Sequence, residues 1–111
     1  MKRDYKLFID DIRESISLIE DYTKNISEEE FKKDKKLQDA IIRRLEIMGE
    51  ASKNIPSSLK EKNKQVLWFE ISHFRNLIIH SYFEISPSTI WRTVKERIPK
   101  IKESIRKIAL I

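Results

Sequence analysis

Apolar residues recur every three or four positions along most of the chain, the period of helices with one buried face. Phe8, Ile12, Ile16 and Ile19 mark a first helix over about residues 4–24, with Ile26 closing it. Ser27 and Glu30 have the spacing of a capping box, which predicts a short turn around Phe31 before a Lys-rich connection. Asp34 can cap a second helix over about residues 35–54, in which Leu37, Ile41, Leu45 and Met48 are buried. Asp39, Arg43, Glu46 and Glu50 form another stripe on it, at the spacing of an intrahelical salt-bridge ladder. Pro56 disfavours helical geometry at Ile55 and stops this helix; Ser58 and Glu61 then predict another capping box and one more short turn.

Residues 65–84 form the focal helix. Leu67, Ile71, Phe74 and Ile78 give it an ordinary core stripe, but on the opposite side His73, Asn76 and His80 align, with Phe69 one turn above them. In a chain that is 37% charged, a solvated face would carry Lys and Glu, so this neutral face is expected to meet something other than bulk water. Ser86 as N-cap and Pro87 at the first helical position start a fourth long helix. Its apolar positions are Ile90, Trp91, Val94, Ile98, Ile101, Ile105 and Ile108; Pro99 should kink it and leave the Lys95 carbonyl unpaired. Four long helices with short connections predict an all-α, up-and-down four-helix bundle with a short extra helical turn, in a single domain over residues 1–111.

Composition narrows the class. A single Gly and three Pro argue against a β-sandwich or a nucleotide-binding α/β fold, both of which need Gly-rich turns. The absence of Cys removes disulfides, thiolate metal sites and a cysteine nucleophile, and fits a cytoplasmic protein. No apolar run approaches membrane-span length, so no membrane partner is expected. The formal net charge of +5 is modest and spread out, which permits a nucleic-acid partner without requiring one.

The candidate chemistry lies in Arg75, Asn76, His80 and Tyr82. Arg75-Asn-Leu-Ile-Ile-His80-Ser-Tyr82 is an R-x4-H-x-Y string with Asn directly after the Arg, and it resembles the signature of HepT-like toxins in the HEPN superfamily of ribonucleases. The likeness extends to Asp10-Asp-Ile, to the run from Gln38 to Ala51, to Trp68, and to Ile90-Trp-Arg-Thr-Val followed by Ile98-Pro. The resemblance implies an HEPN-like bundle that forms a homodimer, with two motif helices meeting at one cleft, and metal-independent RNA cleavage without a cofactor. Within it, His80 moves protons near neutral pH, Arg75 stabilises the anionic phosphorane, and Asn76 orients the imidazole or binds a phosphate oxygen. The resemblance further implies that an MNT-type nucleotidyltransferase antitoxin attaches AMP to Tyr82, putting bulk and negative charge where the RNA phosphate must sit.

Other readings stay open from the residues themselves. Arg75 and His80 are five apart, about 140° around a regular helix, so either the helix loosens near His80 or a partner subunit contributes. His73, Arg43 and Glu50 are candidates for cleft lining, with a ladder ion pair as the plainer account of the last two. A metal site is disfavoured, because His73 and His80 are seven apart and no acidic pair lies beside them. A non-catalytic RNA- or nucleotide-binding module that partners a nucleotidyltransferase would use the same polar face, as would a purely structural dimerisation bundle.

Overall fold

The computed structural model describes residues 3–80 and 85–109, apart from the side chains of Leu77, Ile79 and His80. Its elements are α-helices α1 (Tyr5–Thr23), α2 (Glu28–Lys32), α3 (Lys35–Lys53), α4 (Ser57–Lys62), α5 (Trp68–His80), α6 (Pro87–Arg92) and α7 (Ile98–Ile105), with a π-helical turn at Thr93–Arg97 joining the last two. Among the described residues the fold is all-α. Long helix α3 packs along both α1 and α5, and the segment from α6 to α7 closes the bundle.

Local hydrogen bonding explains where the helices start. The Glu30 N–H donates to Ser27 Oγ at 3.1 Å and the Ser27 N–H donates to Glu30 Oε1 at 3.1 Å, completing the expected capping box. Asp34 accepts from the Leu37 N–H, and Ser86 accepts from the Thr89 N–H ahead of Pro87. The turn between α1 and α2 uses Asn25 at φ 60°, a left-handed conformation that Asn tolerates better than most residues. Tilted stacking of Phe31 on Trp91, 5.3 Å between centroids, docks α2 against α6.

One connected core runs through Ile12, Ile19, Ile41, Met48, Ile71 and Ile101, all fully buried. Ile9 takes an inward position on α1, while Phe8 packs at its rim. Leu37 is likewise only partly buried, so Ile41, Leu45 and Met48 carry the inner face of α3.

Three further expectations need correction. Ser58 and Glu61 form no capping box: Pro56 takes the N-cap position of α4 without any side-chain cap, because its carbonyl already accepts from Leu59 and Lys60. The stripe on α3 is not a ladder. Asp39 pairs backwards with Lys35 at 3.3 Å, Glu50 pairs with α5, and among the described residues Arg43 and Glu46 make no ion pair. The fourth helix is not one α-helix interrupted at Pro99. The register change comes before the proline, where the Ile98 N–H reaches the Thr93 carbonyl five residues back, so the helix accommodates the missing Pro99 donor with a π turn.

Candidate functional site

Helix α5 is set in place from its first turn. The Trp68 indole N–H donates to the Asn63 carbonyl at 2.9 Å, the Leu67 N–H reaches Ser104 Oγ at 3.3 Å, and Lys60 lies over the Trp68 ring at 5.8 Å. Partial burial pulls the Lys60 pKa below its ordinary value. Buried Asn63 donates to the carbonyls of Leu59 and Ala109 and accepts from the Ala109 N–H, tying the chain's end to the entry of α5.

The chain's one glycine decides how closely the motif approaches the bundle. A Cβ added at Gly49 would lie 2.8 Å from both Cβ and N of Arg75, so the backbones of α3 and α5 meet at this point. One turn away, Ser52 and Ser72 share a hydrogen bond at 2.9 Å. The two contacts pair rising numbers on α3 with falling numbers on α5, so the helices run antiparallel.

Gly49 leaves the Arg75 side chain to run along the surface of α3, where Arg75 Nε meets Glu50 Oε2 at 2.8 Å. With the two side chains 37% and 57% exposed, such a pair contributes only about 0–1 kcal/mol to stability. Its effect is orientation. Arg75 and Glu50 share a groove of about 310 Å³ with Arg43, Glu46, Asp11 and Arg3. Arg3 pairs with Asp11, and this hydrogen bond raises the Arg3 pKa above its ordinary value. Of the three guanidinium groups in the groove, that of Arg43 has no carboxylate partner among the described residues.

The structure thus brings Arg75, Arg43 and Glu50 together, and it places His73 elsewhere. His73 lines a second groove, between α5 and the segment formed by α6 and the π turn, and stacks on Phe69 there. Asn76 is exposed on the outer side of α5. Helix α5 stays α-helical through His80, so positions 75 and 80 lie about 140° apart around its axis. The His80 side chain and all of Tyr82 lie outside the described residues. Two features were not anticipated from the sequence. The role of Gly49 had one available signal, a lone glycine inside an otherwise strong helix; Glu50 was a candidate for cleft lining, but its spacing also suits an intrahelical ladder and nothing marked Arg75 as its partner.

Among the described residues, no helix is long and apolar enough to cross a membrane. A family model described as "Ribonuclease HepT-like" matches residues 12–108. The chain is 46% identical over 108 residues to "Probable ribonuclease HepT" of Thermococcus cleftensis, covering 97% of this chain and 98% of that protein. It is 44% identical over 104 residues to a "Putative RNase" of Methanocaldococcus jannaschii, covering 94% of this chain and 95% of that protein. No solved structure matches the chain significantly. With the family match spanning most of its length and relatives aligned nearly end to end, the chain belongs to the HepT-like ribonuclease family of the HEPN superfamily.

Proposed function

We propose that this chain is a metal-independent endoribonuclease, the toxin of a cytoplasmic toxin–antitoxin pair, with residues 1–111 acting as one HEPN-type domain. The observation that carries the reading is the seating of Arg75: the α3 backbone at Gly49 supports it, Glu50 orients it, and Arg43 lies beside it in the same groove. A planar cation held this way suits a phosphate whose charge grows in the transition state.

His80 takes the proton from the RNA 2′-hydroxyl as that oxygen attacks the adjacent phosphorus, and an imidazolium gives a proton to the leaving 5′-oxygen. The products are a 2′,3′-cyclic phosphate and a 5′-hydroxyl. Asn76, one turn before His80, orients the imidazole or binds a phosphate oxygen. The 140° between positions 75 and 80 on a continuous α5 favours a homodimer in which the two motif helices complete a shared cleft. Tyr82 is the residue that a nucleotidyltransferase antitoxin would AMPylate to silence the enzyme. Co-expression with such an antitoxin should give an AMP adduct by mass spectrometry that Tyr82→Phe abolishes.

The test of the chemistry is one oligonucleotide made twice, as RNA and as its 2′-O-methyl copy, each incubated with the protein in EDTA. Only the RNA should be cut. Cleavage of the methylated copy would refute attack by the internal nucleophile.

A further inference from the structure

We infer that the groove between α5 and the α6–π-turn segment is a nucleobase-stacking subsite, with Phe69 as its platform, that selects unpaired RNA next to the cleavage site. Phe69 is 82% exposed, unlike the other Phe, Tyr and Trp rings whose burial the structure describes. Its ring lies 5.9 Å from the His73 ring with only 14° between their planes. The two rings run nearly parallel along the helix, and the high exposure leaves the Phe69 ring open to solvent, as in sites where single-stranded nucleic acid stacks its bases.

The surroundings fit a nucleotide. The groove has a volume of about 420 Å³, and Arg92, Arg97, Glu70 and Glu96 line it together with the two rings. Glu70 holds Arg97 with 3.3 Å between carboxylate and guanidinium, while the exposed Arg92 has no carboxylate partner among the described residues and is open to a phosphate. Glu96 would repel a phosphate but can accept a hydrogen bond from an exocyclic amine, which favours the base inside the groove and the backbone outside it.

Position also links this groove to the motif. Phe69, His73 and Asn76 fall on one stripe of α5 at spacings of four and three, and the helical position of His80 continues it. Phe69 is seven residues from Asn76, about 10 Å of helix rise, so a base stacked on it belongs to a nucleotide near the cut rather than at it. Base-paired RNA cannot offer a free face here, whereas an unpaired strand can. The inference rests on the ribonuclease reading for its ligand class.

The test measures binding of a short single-stranded 2′-O-methyl oligonucleotide, which lacks the nucleophile, by fluorescence anisotropy, with cleavage of the matching RNA followed in parallel. Phe69→Ala should weaken binding about tenfold or more, the scale of one lost base stack. Phe69→Trp should preserve it and Phe69→Leu should behave as Ala does; circular dichroism checks that each variant folds. Equal affinity of Phe69→Ala and the natural protein, or no binding by the natural protein, overturns the inference. So does rescue by Leu, which would indicate apolar burial, or dissociation of a dimer into monomers by Phe69→Ala in sedimentation, which would make the ring a subunit contact. Phe69-dependent binding without RNA cleavage would sink the catalytic reading and leave the platform standing. Cleavage with a Phe69→Ala variant of unchanged affinity would do the reverse.

Discussion

Gly49→Ala is the most informative single change, because two well-known effects oppose each other there. In a free helical site the substitution stabilises by about 0.8–1 kcal/mol through backbone entropy and propensity. At this site the new methyl would sit 2.8 Å from Arg75 Cβ and N, whereas ordinary carbon contacts begin near ~3.5 Å. The atoms in the way belong to the α5 backbone and its first side-chain carbon, so no rotamer change relieves them and α5 itself must shift. Forced overpacking of this kind costs about 1–3 kcal/mol. The net is a destabilisation of up to about 2 kcal/mol at a rigid contact, seen as a fall in Tm of up to about 10 °C. Arg75 would move with α5, so RNA cleavage should fall by more than the loss of folded protein explains, toward the hundredfold that a misplacement of about 1 Å can cause. Thermal and urea unfolding with single-turnover cleavage measure both effects. A Gly49→Ala protein that is about 1 kcal/mol more stable and fully active would refute the close approach of α3 and α5.

Glu50→Gln should leave stability within about 1 kcal/mol, because the pair with Arg75 is half exposed, yet it should lower kcat for RNA; an unchanged kcat would remove Glu50 from the orientation of Arg75. Asn63→Ala breaks hydrogen bonds to Leu59 and both backbone groups of Ala109, and should cost about 2–4 kcal/mol in urea unfolding; a cost below about 0.5 kcal/mol would mean that the chain's end is not anchored there. Hydrogen bonds from the Ser27 backbone and hydroxyl hold the Glu30 pKa below its ordinary value. The cap therefore contributes fully above the ordinary Glu pKa and is lost as pH falls through the lowered one; NMR titration showing Glu30 at or above the ordinary value would contradict this.

What could be read from the sequence was local or periodic. The Ser27–Glu30 box, the Asp34 cap and the Ser86-Pro87 start each involve residues within three positions, so their hydrogen bonds hardly depend on the rest of the fold. Ser58 and Glu61 had the same spacing and failed, because a proline carbonyl two residues earlier had already begun the turn. Glu50 shows the other limit: its spacing to Arg43 and Glu46 suits a ladder, but packing brings Arg75 nearer from another helix. The π turn had a signal in Pro99, which announces a lost hydrogen bond without saying where the helix will absorb it. Within the site, helical phase correctly set Phe69, His73 and Asn76 opposite the core stripe. It could not tell that Arg75 and His73 face different grooves, since that depends on which helices flank α5.

The measurement that bears most directly on the proposed chemistry is cleavage of end-labelled RNA by the natural protein and by His80→Ala, both in EDTA, with the product ends identified. The natural protein should leave cyclic phosphate and 5′-hydroxyl ends, and a folded His80→Ala variant should not cleave. Cleavage that persists in His80→Ala, or that leaves 5′-phosphate ends, would contradict the proposed chemistry.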